Sequence, residues 1–301
     1  MKVLVTGATG FVGKALVRKL IEQGQEVTVL SRDAGSAAEK LGVPCLTFSW
    51  DASREPAPEK AFEGIEAVIH LAGEPVAATR WNDEVKKRIM DSRTLGTRNL
   101  VTTLNHLAVR PRILISASAI GFYGSRGDEV LDESSAPGQG FLAQVCQAWE
   151  SEAHEANVDR KVIVRIGVVL GKNGGALEKM LPPFKAGLGG PIGSGKHWMS
   201  WIHLDDLIGV FLLALQDPRL TGIVNAVSPQ PVSNLDFTHA LGHALHRPSF
   251  VKVPPFALRL AFGEMADEAL LASARVTPGA LLRDAFPFRH PDLNEALASS
   301  V

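Results

Sequence analysis

The sequence predicts a doubly wound α/β protein, and three observations carry that expectation. Short runs rich in Val and Ile alternate with longer segments of helical apolar spacing. Most of the runs are apolar on both faces, as strands of a parallel sheet covered by helices must be. A glycine-rich turn, Gly7-Ala8-Thr9-Gly10-Phe11-Val12-Gly13, lies directly between the first run and the first helical segment.

Residues 3–5 form the first strand, 11–21 carry helical spacing up to a stop at Gly24, and 27–30 form the second strand, which completes a βαβ unit. Further strands are expected at 45–48, 67–71, 113–116 and 161–166, with helices at 83–107 and 142–156. Between 171 and 195 glycine and proline accumulate, Pro182, Pro183 and Pro191 among them, and this stretch reads as loops crossing to a second lobe. A helix at 205–215 and a strand at 223–226 return to the sheet. The expected organisation is a dinucleotide-binding Rossmann domain of residues 1–170, completed by 205–228, with a smaller substrate lobe made by 171–204 and 229–301.

Composition narrows the function. The chain has 301 residues, 46% hydrophobic and 21% charged, enough for a large core and far from a disordered composition. A formal net charge of -1 disfavours general nucleic-acid binding, which needs a basic surface to displace counterions. Cys45 and Cys146 are the only cysteines, too few for a disulfide framework and without metal-ligand spacing, so a reducing compartment is expected. No apolar run approaches the roughly 20 residues that span a bilayer, and no signal-peptide core follows the N-terminus. The expected location is cytoplasmic, with a small-molecule substrate and neither membrane nor nucleic-acid partner.

The glycine turn points to a dinucleotide. Its glycines permit a positive φ, close approach of a pyrophosphate, and tight packing of helix on sheet, while the free N–H groups of the helix start face the anion. Gly7, Thr9, Gly10, Phe11, Val12 and Gly13 are the candidate contacts. The second strand ends in Ser31-Arg32 where a NAD-type site carries an acidic residue, and a hydroxyl beside a guanidinium suits a 2′-phosphate. NADP is therefore favoured over NAD, although Asp33 is placed to pair with Arg32.

These residues resemble the extended short-chain dehydrogenases, which include NAD(P)-dependent epimerases and dehydratases of nucleotide sugars. The three-and-three glycine spacing, His70-Leu71-Ala72-Gly73, Gly96-Thr97-Arg98-Asn99-Leu100, Ile115-Ser116-Ala117-Ser118 with Tyr123-Gly124, Trp201-Ile202-His203-Leu204-Asp205-Asp206 and Val224-Asn225-Ala226 all look like its motifs. Met180-Leu181-Pro182-Pro183-Phe184 and the Gly189 to Gly195 run resemble a subgroup of epimerase family proteins with its own C-terminal segment. The resemblance implies cofactor contacts at Leu71, Ala72, Gly73, Ser116 and Arg93, a catalytic role for Ser118, and the possibility of a homodimer through the long helices.

One departure is decisive for chemistry. The family's Tyr-x-x-x-Lys pair, in which lysine lowers the phenol pKa for proton exchange during hydride transfer, is missing: Tyr123 is the single tyrosine, with Gly127 four residues on. Leu142 and Cys146 stand at the matching positions. Ser118 and Tyr123 are the remaining catalytic candidates. The expected function is an NADP(H)-dependent oxidoreductase or nucleotide-sugar epimerase-like protein, the alternative a catalytically inactive NADP(H)-binding sensor.

Three other signals are discounted. Gly190 to Lys196 fits the start of a P-loop but is followed by His197 in place of Ser or Thr, although its backbone offers an anion cradle. His239, His243 and His246 share a helical spacing without an accompanying carboxylate, so no metal is expected. Trp198 and Trp201 read as packing residues beside the cleft.

Overall fold

The computed structural model describes all 301 residues. β1 (Lys2–Thr6), β2 (Glu26–Ser31), β3 (Leu46–Ser49), β4 (Ala67–His70), β5 (Ile113–Ala119) and the strands Arg160–Ile166 and Gly222–Ala226 form one parallel sheet of seven. From one edge the order is Gly222–Ala226, Arg160–Ile166, β5, β4, β1, β2, β3. The chain runs outward from β1 to β3 and then crosses back to β4. The switch point, where ligands bind in such sheets, therefore lies between β1 and β4.

Side-chain alternation divides the strands between two helical layers. Val3, Val5, Ile69, Ile115, Val162 and Val164 face α1 (Phe11–Glu22) and α6 (Leu204–Gln216). Leu4, Leu30, Val68 and Leu114 face Leu100, Val101 and Leu104 of α3 (Asp83–His106). In α1 the buried residues Gly13, Leu16, Val17 and Leu20 recur at helical spacing and make one stripe. α6 is buried on nearly every side because the C-terminal segment covers what the sheet and α1 leave open, with Phe286 seated over Gly209. α4 (Phe141–His154) packs beside α3 and completes the second layer.

The strands and long helices expected from the sequence are present, with ends shifted by a residue or two, except that β5 runs three residues past the expected end at Ser116. The stretch 171–195 differs: it contains α5 (Gly175–Lys185), with Pro182 and Pro183 inside its last turns. Burial of Leu177 and Phe184 against Trp201, Phe237 and Leu241 holds that helix despite the missing N–H groups. A short helix, α2 (Ala34–Leu41), starts immediately after β2.

Two carboxylates, buried Asp206 and half-buried Glu133, fasten the C-terminal segment to the sheet layers. Asp206, in the first turn of α6, accepts the N–H groups of Arg289 at 2.6 Å and His290 at 3.0 Å. Glu133 accepts the N–H groups of Asn225 and Ala280. Replacing Asp206 by Ala removes the acceptor of two part-buried N–H groups, so we expect a loss of about 1–3 kcal/mol in unfolding free energy, read by urea titration.

Candidate functional site

The glycine turn stands at the switch point in the geometry that anion binding needs. Gly7 has φ +68°, and a Cβ there would lie 2.7 Å from the Leu71 carbonyl carbon, so only glycine fits between the turn and the chain leaving β4. A Cβ on buried Gly13 would overlap the Gly7 carbonyl oxygen, and its absence lets α1 start against the sheet. The first helical bond runs from Lys14 N–H to the Gly10 carbonyl, no side chain caps Gly10, and the first turn holds no acidic residue. The N–H groups of Phe11, Val12 and Gly13 thus precede the helical ladder and offer a positive end to an anion. Thr9 is half-buried in the same turn. The Phe11 ring turns away, against Gly171, Gly174 and Gly175, so Phe11 offers the site its backbone only.

A buried hydroxyl fixes the neighbouring loop. Thr6 Oγ accepts the N–H groups of Leu71 and Ala72, both at 3.2 Å, and lies 2.7 Å from His70 Nδ1. With both acceptances spent on amides, the hydroxyl gives its own proton to Nδ1. His70 therefore carries its proton on Nε2 and donates it to Thr97 Oγ at 3.0 Å. His70 is fully buried, and burial lowers its pKa to about 4. This neutral chain Thr6, His70, Thr97 ties β1, β4 and α3 together beneath residues 71–73.

At the tip of β2, Ser31 is half-buried and Arg32 is exposed. Asp33 does not pair with Arg32. Its carboxylate caps α2 by accepting the Ser36 N–H at 2.9 Å, and no salt bridge reaches Arg32. Arg93 projects from α3 against Gly73, donates to the carbonyls of Glu74 and Ile89, and lies over the Trp149 ring. No carboxylate pairs with it, and burial lowers its pKa. Ser116 is buried in β5 beside His70 and donates to the Ala117 carbonyl.

Ser118 and Tyr123 come together in the protein interior. Ser118 is on β5, paired in register with Arg165, which pairs in turn with Asn225. Glu150 of α4 covers that face. Arg165 donates from Nε and Nη2 to the two Glu150 oxygens, each at 2.8 Å, and from Nη1 to the Tyr123 oxygen at 2.9 Å. Ser118 donates to Glu150 Oε1 at 2.6 Å, and Tyr123 donates to Asn225 Oδ1 at 2.7 Å. The Phe122 ring covers the guanidinium at 3.4 Å.

All five hydrogen-bonding side chains are buried, and Tyr123 sits on a 3-10 turn rather than on an open loop. Each hydroxyl has given its single proton to a protein acceptor, so neither is free to polarise a carbonyl in this arrangement. Burial raises the Tyr123 phenol and pushes the Cys146 thiol up to about 11, so neither stands as an anion at neutral pH. Sequence reasoning missed Glu150 and Arg165. The signal was an arginine within the apolar run of residues 162–166, which a buried strand tolerates only with a partner.

The discounted signals resolve by geometry. Four amides of the Gly190 to Lys196 run are consumed: Ile192 donates to Asn234, Gly193 to the Val253 carbonyl, Gly195 to the Ile192 carbonyl and Lys196 to Ser194. The run therefore does not offer the anion cradle that its composition suggests. His239 and His243 lie on α7 (Asn234–Ala244), while His246 falls beyond it with φ +53° and leaves the shared face. Trp201 is fully buried, and Trp198 donates to Asp128 under the Arg275 guanidinium.

Residues 3–226 match the NAD dependent epimerase/dehydratase family, and residues 253–300 match a domain of unknown function (DUF1731). The chain is 42% identical over 301 residues to the epimerase family protein SDR39U1 homolog, chloroplastic, of Arabidopsis thaliana, covering 99% of this chain and 86% of that protein. The crystal structure of human epimerase family protein SDR39U1 (isoform 2) with NADPH superposes with a TM-score of 0.88 at 33% identity, over 99% of this chain and 98% of that one. UDP-glucuronic acid 4-epimerase from Bacillus cereus, in complex with UDP-glucuronic acid and NAD, shares the fold at 18% identity, with a TM-score of 0.80 over 100% of this chain and 98% of that one.

Two measurements follow from this geometry. Glu150→Gln leaves the buried Arg165 charge without its counter-ion and should lower unfolding free energy by about 3–5 kcal/mol in chemical denaturation. Acid should also weaken the fold through His70. An unfolded histidine takes up a proton near pH 6.5, whereas His70 stays neutral down to about pH 4. The unfolded state binds more protons in that window, so stability falls as pH drops through it, by about 3 kcal/mol in total. A His70→Gln variant should show a correspondingly shallower slope between pH 6.5 and 4.

Proposed function

Because the chain belongs to the NAD dependent epimerase/dehydratase family, we propose that it binds NADP(H) at the β1–α1 turn and exchanges a hydride with a small polar substrate. The observation that carries this reading is the pairing of an uncapped, acid-free helix start with an arginine at the β2 tip that no carboxylate neutralises. In it, the amides of residues 11–13 hold the pyrophosphate. Ser31 and Arg32 hold the 2′-phosphate. The backbone of Leu71, Ala72 and Gly73, with Ser116, lines the path toward the nicotinamide, and the carboxylate-free Arg93 guanidinium offers a further phosphate or ribose contact. When bound, the nicotinamide supplies the hydride acceptor or donor. The NADPH in the human relative's structure favours the phosphorylated dinucleotide.

Residues 1–170 with 205–228 form the cofactor domain in this reading, and 171–204 with 229–301 the substrate lobe. The protein works in the cytoplasm, and α3 and α4 are the surface for a homodimer. A second reading, an NADP(H) sensor without turnover, is favoured by one observation: the hydroxyls of Ser118 and Tyr123 are committed to Glu150 and Asn225. NADPH absorbance followed against carbonyl compounds and nucleotide sugars separates the two, since a sensor binds tightly and leaves the band unchanged.

Arg32→Glu tests the cofactor assignment. Loss of charged hydrogen bonds to the 2′-phosphate should weaken NADPH by about 10- to 100-fold and NADH far less, measured by nucleotide fluorescence titration. Equal weakening of both nucleotides would refute the role given to Arg32.

A further inference from the structure

The N-terminus of α4 receives a carboxylate from the far end of the chain. Glu268 Oε2 accepts the Leu142 N–H at 3.1 Å, and Oε1 has no hydrogen-bond partner. Glu268 lies in a π-helical turn, Ala266–Leu270, closed by Leu271 N–H on the Ala266 carbonyl at 2.8 Å. Such turns are rare, locally unfavourable and concentrated at functional sites. This one separates two adjacent acids. Asp267 turns outward to Arg259, which grips both its oxygens at 2.9 to 3.0 Å, while Glu268 turns inward and meets no cation.

Inward of Glu268 is a cavity of about 50 Å³ whose walls include Gly121, Gly124, Ser125, Gln139 and Leu142. Gly121 comes two residues after the end of β5, so the cavity sits at the carboxyl edge of the sheet. Leu142 stands where the family motif would place its tyrosine. A Cβ on Gly121 would lie 3.4 Å from the Leu142 Cβ, in contact with the cavity wall. The cavity admits a hydroxyl-bearing carbon or a water and little more. Apart from Asp267, which Arg259 neutralises, Glu268 is the titratable group on its wall.

We propose that Glu268 is the proton-transferring residue of this cleft, supplied by the C-terminal segment in place of the phenol that α4 lacks, and that its substrate is a secondary alcohol. The assignment rests on the hydride-transfer reading above. In the oxidising direction the substrate O–H bond breaks and its proton goes to Glu268 Oε1. The C–H bond breaks with its electron pair, the hydride goes to bound NADP⁺, and the ketone C=O forms. Neutral Glu268 then returns the proton to water, and reduction follows the same steps reversed. The Leu142 N–H on Oε2 fixes the carboxylate plane and leaves Oε1 to react.

Glu268→Gln keeps a carbonyl acceptor for Leu142 and removes the base. Two probes suffice, UDP-glucose and 1-phenylethanol, each with NADP⁺ and followed by NADPH absorbance. Wild-type turnover that falls about 100-fold or more in the variant, with NADPH affinity and thermal unfolding unchanged, supports the proposal. Equal turnover in both proteins overturns it and leaves the hydride-transfer reading standing. Wild-type protein that binds NADPH and oxidises neither probe overturns both. A second readout needs no cofactor: a water-soluble carbodiimide with glycinamide should couple to Glu268 of the cofactor-free protein, located by peptide mass spectrometry. An unmodified Glu268 beside modified surface carboxylates means that no reactant reaches it, and the assignment falls.

Discussion

A single buried arginine sets the terms for this protein's site. Arg165 stands buried on the strand next to one edge of the sheet, where an unpaired charge would cost several kcal/mol, and its surroundings are arranged to answer it. Glu150 takes two of its donors and Tyr123 a third, while Phe122 covers its face. The pair binds α4 to the strand Arg160–Ile166 and draws in Ser118 and Asn225, so three strands and one helix share a single network. Residues that look catalytic by position have become the hydrogen-bonding shell of a structural charge.

The two halves of the site consequently differ in character. On the β1 side, amides, glycines and the neutral Thr6, His70, Thr97 chain leave positive potential and open backbone for a ligand. On the β5 side, the side chains satisfy one another. A dinucleotide needs only the first arrangement, because pyrophosphate recognition uses N–H groups at a helix start. Proton transfer needs a titratable group that is not already committed, and the β5 side of the sheet does not present one. The C-terminal segment does, and it also closes the fold through Asp206, Glu133 and Glu268. That segment braces the sheet, and in the proposed reading it also walls the site.

Much of this was legible in the chain itself, for reasons of local physics. Strand and helix periodicities depend on burial of one face or two, and they marked all seven sheet strands and the helices α1, α3, α4 and α6. The glycine spacing fixed the β1–α1 turn because backbone clearance is a local requirement: Gly7 and Gly13 tolerate no Cβ. α5 was hidden because its prolines oppose helix formation locally, and only packing against Trp201 and Phe237 outweighs them.

What the sequence determined by itself was therefore the strands of a parallel sheet, its long helices, the glycine turn and the lack of the Tyr/Lys pair, since each follows from residue identity or short-range spacing. The tertiary structure decided the rest. Asp33 went to a helix cap instead of Arg32, the amides of Ile192, Gly193, Gly195 and Lys196 went to the protein's own acceptors, and Ser118 and Tyr123 found Glu150 and Asn225. A hydrogen-bonding group's role depends on which partner reaches it first, and partners 32 or 102 residues away are set by packing, not by neighbours in the chain.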